Sequence, residues 1–175
     1  MKLIIEGTDN VGKDFFIKHL NFTGKQFHCI SPGKFLPNID PIEAQRIQFV
    51  DIFDSTMDEE SFLLNRSHIG ECVYGPIYRN TDGDWVFDIE KYYPHILDAT
   101  LVYLYAPAEF SIKNDDGLSH STEISKRENE LKLFEDAIKK SNIKRKIFIQ
   151  VADTEFRNIN DILNEFYEKY RQLNK

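Results

Sequence analysis

Two glycines and a lysine carry the clearest chemistry in this chain. The stretch GTDNVGKD at residues 7–14 follows a short apolar run, KLIIE, at residues 2–6. Gly7, Gly12 and Lys13 fit the spacing GxxxxGK, preceded by a strand pattern and opening a helix pattern, the context that gives this motif its meaning. Glycines let backbone N–H groups close around phosphate oxygens, and a helix N-terminus adds a favourable partial charge. Lys13 would then span to the outer phosphates. Gly7, Asn10, Val11, Gly12, Lys13 and Asp14 are therefore the candidate phosphate-binding residues. The last of them is unusual, because Mg²⁺-dependent loops place a serine or threonine there, and here Asp14 is followed by Phe15.

A second constellation, LLNRSHIGECVYGPIYR, spans residues 63–79. An apolar strand running into Asn65-Arg66-Ser67 puts an arginine at the carboxyl end of a sheet, close to the phosphate loop. His68 reads as a structural histidine. Glu71 suits a sugar hydroxyl or an exposed surface, and Tyr74 and Tyr78 suit ligand contact or core packing.

Alternating strand and helix patterns must position these groups. Strands are expected at 2–6, 26–31, 61–65, 100–106 and 146–152. Asp40-Pro41-Ile42-Glu43 supplies an N-cap acceptor, a proline at the first helical position and a glutamate at N3. Helical spacing then predicts Ile47, Val50, Phe53 and Met57 on the inner face. A further helix over 88–98 buries Ile89, Tyr92, Tyr93, Ile96 and Leu97, bent or cut short by Pro94. The pattern over 122–141 turns Ile124, Leu131, Phe134 and Ile138 inward. The last helix, from Asn158, buries Ile159, Ile162, Leu163, Phe166 and Tyr170. This order predicts an α/β protein with a mostly parallel sheet and right-handed crossovers. Ligands in such sheets bind beyond the carboxyl ends of the strands.

With 175 residues the chain is long enough for one domain and short for two. A net charge of −7 argues against a life on nucleic acid or an anionic membrane. No apolar stretch reaches membrane-spanning length. Cys29 and Cys72 read as reduced core thiols, so the expected location is cytoplasmic.

The loop EGTDNVGK, with an acid two residues after its first glycine, and the segment NRSHIGECVYG resemble the thymidylate kinase branch of P-loop nucleoside and nucleotide kinases. The spacing from Arg46 to Arg66 is similar as well, and the order of elements agrees over most of the chain. The resemblance implies a three-layer P-loop kinase fold over residues 1–175, with a five-stranded sheet and a lid near 111–127. It implies ATP and Mg²⁺ as cofactors and a pyrimidine deoxynucleoside monophosphate, dTMP or a relative, as acceptor. Asp9 would approach the acceptor sugar, Arg46 its base, and Arg66 would bridge acceptor phosphate and transferred phosphoryl group. Glu71 and Tyr74 would border the acceptor pocket. Lys113 and Arg127 stand in the lid, where an exposed helix face is the other reading of Arg127. Ala152-Asp153-Thr154 occupies the adenine-cradling position. A homodimer through helices flanking the acceptor site is also implied.

Two departures from the family pattern read together as an exchange. The family motif's aspartate is Asn65 here, and the loop's hydroxyl residue is Asp14. Moving the carboxylate from 65 to 14 keeps one negative ligand for the metal. The alternatives left open are a deoxynucleoside kinase and a catalytically altered nucleotide-binding regulator.

Overall fold

The computed structural model describes residues 1–28 and 40–175. Cys29 and residues 29–31 of the expected second strand lie outside them. Five strands form one sheet: β1 (Lys2–Glu6), β2 (Lys25–His28), β3 (Phe62–Asn65), β4 (Thr100–Tyr105) and β5 (Arg145–Gln150), in the order β2-β3-β1-β4-β5. Every pairing is parallel. Eight α-helices, α1 (Lys13–His19), α2 (Pro41–Ser55), α3 (Glu71–Tyr74), α4 (Val86–Glu90), α5 (Pro94–Leu97), α6 (Ala108–Lys113), α7 (Ile124–Lys140) and α8 (Ile159–Leu173), occur among the described residues, with a 3-10 turn at His68–Gly70 and a π-helical turn at Gly75–Arg79.

Alternation along the strands divides the core into two layers, because successive side chains leave opposite faces of a sheet. Ile4, Leu64, Leu101 and Tyr103 face one side, with Phe53, Val73, Phe134 and Ile138 from the helices. Leu3, Ile5, Leu63, Val102 and Leu104 face the other, with Phe16, Ile162 and Phe166. Strands buried on both faces read as continuous apolar runs, as β1 and β4 do. The register brings Ile5 level with Asn65, and His28 level with the same asparagine. The carboxyl ends of β1, β2 and β3 therefore share one rim. The chain leaves β1 for β2 and β3 on one side and reaches β4 on the other, so a crevice opens above β1.

Several helix faces differ from the sequence expectation. Asp40 does cap α2, its side chain accepting from the N–H groups of Ile42 and Glu43. The buried face of α2 is nevertheless Gln45, Phe49 and Phe53, continuing to Thr56, while Ile47 and Met57 are exposed. Pro94 separates α4 from α5, and Tyr92 between them is 80% exposed rather than buried. In α7, Ile124 is exposed, whereas Arg127 and Glu130 are buried as an ion pair at 2.7 Å. No helix among the described residues is long and apolar enough to cross a membrane.

Candidate active site

The loop after β1 is shaped by two glycines with different duties. Gly7 has φ 154°, and a Cβ there would stand 2.3 Å from the Leu104 carbonyl oxygen of β4. No side chain fits without displacing the strand. Gly12 has φ 78°, in the region L-residues avoid, and it enters α1 without any side-chain cap. The first turn of α1 thus keeps its N–H groups for an external acceptor. Lys13 is buried, and its Nζ donates to the carbonyl oxygens of Gly7 (2.8 Å) and Thr8 (2.7 Å). Burial lowers its pKa to about 8, aided by the Arg66 charge and opposed by Asp9, Glu6 and Asp14.

Arg66 follows β3 with φ 66°, a left-handed conformation that costs a non-glycine residue about 1–2 kcal/mol. Its N–H donates to the Ile5 carbonyl oxygen at 2.9 Å, which ties the turn to β1. Its guanidinium pairs with Asp9 at 3.1 Å. Backbone strain held at such a position is a common mark of functional sites. Beneath it, Glu6 is buried with Oε1 unpartnered among the described residues. Burial pushes its pKa up to about 8, against the opposing charges of Lys13 and Arg66 and the N–H groups of Ser67 and Gly70.

Asp14 and Asn65, the two departures from the family pattern, touch. Asn65 Nδ2 donates to Asp14 Oδ1 at 2.5 Å and lies 3.0 Å from His28 Nδ1. Asn65 is 8% exposed, and its buried Oδ1 has no partner among the described residues. No group of three or more His, Cys, Asp or Glu suited to a metal occurs among the described residues. One carboxylate and one orphaned amide oxygen are a thin set of hard oxygen donors. That set fits Mg²⁺, which keeps several waters and takes the rest of its ligands from phosphates.

A cavity of about 850 Å³ opens over the loop, lined by Asp9, Lys13, Asp14, Arg66, Tyr78, Arg79, Asp116 and His120 among others. Three cations and three carboxylates therefore face one space. Of the acceptor residues implied by the resemblance, Asp9 and Arg66 line it. Tyr74 is buried behind Tyr78, edge-on to Phe134. Glu71 is buried and held by Arg79 at 2.6 Å, so the guanidinium of Arg79, rather than the carboxylate, reaches the cavity. Arg46 is exposed, its guanidinium 5.5 Å over the Trp85 ring, and does not line the cavity.

The segment expected to form a lid, residues 111–127, also departs from that expectation. Lys113 is exposed at the end of α6, and neither it nor Arg127 lines the cavity. Arg127 donates to Glu130 and to the Ser121 carbonyl oxygen, so it is neither a free clamp nor an exposed helix residue. The segment is instead anchored to the loop after β1 by Asn10, whose Nδ2 donates to Asp115 Oδ1 (3.1 Å) and Ser119 Oγ (2.8 Å). His68 is structural as read: it is buried between Ser67 and Glu90, 2.8 Å from the latter.

A second cavity of about 460 Å³ lies against the outer side of the loop, lined by Val11, Phe15, Phe156, Arg157 and Ile159 among others. Ala152-Asp153-Thr154 precede this wall without lining it. The residues sequence reading missed are Arg79, Asp116, His120 and Phe156. Arg79 stands in a π-helical turn, Gly75–Arg79, which breaks the periodicity that would have placed it.

The sequence matches no protein-family model and no curated protein. Similar solved structures span nearly the whole chain. One is the YorR protein from Bacillus subtilis in complex with phosphorylated GDP, at TM-score 0.67 and 14% identity, covering 99% of this chain and 98% of that one. Another is deoxyadenosine kinase from M. mycoides with bound dATP, at TM-score 0.59 and 16% identity, covering 98% and 100%. A third is a gluconokinase from Sinorhizobium meliloti 1021, at TM-score 0.58 and 13% identity, covering 98% and 92%. The five-stranded all-parallel sheet flanked by helices is thus the fold of the P-loop kinases.

Proposed function

We propose that this chain is an ATP-dependent kinase resembling thymidylate kinase, which phosphorylates a pyrimidine deoxynucleoside monophosphate, dTMP or a related dNMP. The observation that carries this reading is the arrangement of cations around one cavity. Lys13 stands at the loop, and Arg66 and Arg79 stand on other parts of the same wall. Phosphates on the loop account for the first, and an acceptor bearing its own phosphate accounts for the others. The apolar cavity beside Val11 and Phe156 suits the donor base.

In the reaction, an acceptor phosphate oxygen attacks the γ-phosphorus in line, and the bond to the β-phosphate oxygen breaks to release ADP. Lys13 exchanges its bonds to Gly7 and Thr8 for phosphate oxygens, and Arg66 offsets charge on the transferring group. Such positioning and charge cancellation are most of what phosphoryl transfer needs from a protein. Mg²⁺, held at Asp14 and Asn65, would neutralise phosphate charge.

A deoxynucleoside acceptor is the second reading, favoured by the likeness to the M. mycoides protein. It requires a base for the hydroxyl proton, and Asn65 cannot serve. ADP release with Mg²⁺ and ATP, measured against dNMPs, deoxynucleosides and gluconate, separates these readings. Turnover led by dTMP or another pyrimidine dNMP supports the proposal. Turnover led by nucleosides selects the second reading, and no turnover with any acceptor removes the kinase.

A further inference from the structure

The lid carries an aromatic ring into the main cavity and lays it on another. The His120 imidazole stacks on Tyr78 with centroids 4.8 Å apart and planes at 25°. Both rings line the cavity beside Arg66 and Arg79. Tyr74 backs the pair, 6.2 Å from Tyr78 and 5.4 Å from His120. Tyr78 is fixed from behind, its hydroxyl donating to Glu130, which also accepts from the buried Arg127. Among the described residues His120 is fixed by nothing comparable: its ring nitrogens have no hydrogen-bond partner there, and its ring contacts there are the two tyrosines. One face is rigid and its occupant is loosely held.

We propose that the Tyr78 face is the ring site for the acceptor and that His120 is its built-in occupant, displaced when a planar heteroaromatic acceptor enters. The proposal rests on the kinase reading for the identity of the cavity. It adds that the acceptor carries a nucleobase-like ring, not an aliphatic sugar acid, and that the lid competes with it. Stacking on an aromatic face needs no particular base, so the site selects for planarity, and neighbouring polar groups select among rings.

The test is binding, independent of turnover. dTMP, dAMP, thymidine, deoxyribose 5-phosphate and gluconate are titrated calorimetrically into the wild type, His120→Ala, Tyr78→Phe and Tyr78→Leu, while NMR follows the His120 ring protons. Ring-bearing acceptors should shift those protons as they leave the Tyr78 shielding region, and deoxyribose 5-phosphate should not. His120→Ala should bind dTMP about threefold to tenfold more tightly, the size of one aromatic pair. Tyr78→Phe, which loses the Glu130 bond and keeps the ring, should bind dTMP like the wild type. Tyr78→Leu should lose about tenfold for dTMP and nothing for ATP. Deoxyribose 5-phosphate binding as tightly as dTMP, or unchanged affinity in His120→Ala with unmoved His120 resonances, overturns the proposal. Stacking without turnover of any acceptor would keep it and remove the kinase reading. Turnover of dTMP without these signatures would do the reverse.

Discussion

Replacing Asn65 by aspartate tests whether residues 14 and 65 form one metal site. Asn65 Nδ2 lies 2.5 Å from Asp14 Oδ1, so Asn65→Asp exchanges a donor for an oxygen at contact distance from a carboxylate. Two unit charges about 4 Å apart repel by about 4 kcal/mol at an effective dielectric near 20. Asp14 is exposed, and solvent screening reduces this to about 1–2 kcal/mol. Loss of the charge-assisted hydrogen bond adds a comparable amount at most. A net loss of about 2 kcal/mol lowers Tm by roughly 4–8 °C in a chain of this size. The assay is thermal denaturation in EDTA and across a Mg²⁺ titration, with kcat/KM measured in parallel on four proteins. In EDTA, Asn65→Asp should melt lower than the wild type. Mg²⁺ should raise its Tm more than that of the wild type, because the cation then joins two carboxylates. Asp14→Ser alone should weaken both rate and Mg²⁺ dependence. The double variant, Asp14→Ser with Asn65→Asp, should recover Tm in EDTA and much of the rate, with a coupling of about 0.5–3 kcal/mol. An Asn65→Asp protein as stable as the wild type in EDTA, or a double variant no better than the product of the single losses, would refute the shared site.

Lys13→Ala should reduce ADP release by about 10²–10³-fold while the fold persists, since the hydrogen bonds of Nζ among the described residues go to two loop carbonyls; comparable turnover would sink the kinase reading. Folded Glu6 keeps its proton to about pH 8, whereas the unfolded chain loses it near 4.5, so its contribution to stability falls as pH rises between those values. Lys13 acts in the opposite sense, because the folded state loses its proton near pH 8 and the unfolded state near 10.5, so stability returns above pH 8. The urea midpoint of the nucleotide-free protein should therefore dip near pH 8, and Glu6→Gln should remove the falling limb. Arg46→Ala should cost no more than about 1 kcal/mol of stability, the worth of an exposed cation–π contact, and leave the acceptor KM unchanged. A selective rise in that KM would return Arg46 to the acceptor base.

What the sequence revealed of this molecule followed from local chemistry. The GxxxxGK spacing, the apolar runs of β1 and β4 and the Asp40 cap are each written in adjacent residues, and each appears in the structure. The pairing of positions 14 and 65 was legible as well, because two departures from one pattern pointed at each other. What stayed hidden depends on partners remote in sequence. The phase of α2 is set by Phe49 and Phe53 meeting His68, Trp85 and Tyr93. An apolar Ile47 at acceptable spacing carries no sign that it is left exposed. Arg127 reads as a lid residue or an exposed helix face, since its charge alone does not reveal that it is buried against Glu130, whose carboxylate Tyr78 arrives from another helix to share. The cavity wall at Arg79 and His120 combines a π-turn with the connection between α6 and α7, neither of which has a period to detect.

The edge-on contact of Phe16 with Phe166 ties α1, the helix that follows the glycine-bearing loop, to α8. Leu104 of β4 closes against Gly7, and β5 and α8 complete the layer beneath. A ribosome emits this loop before the strands and the helix that support it. Until β4, β5 and α8 follow, the motif lacks the surfaces that hold it in shape.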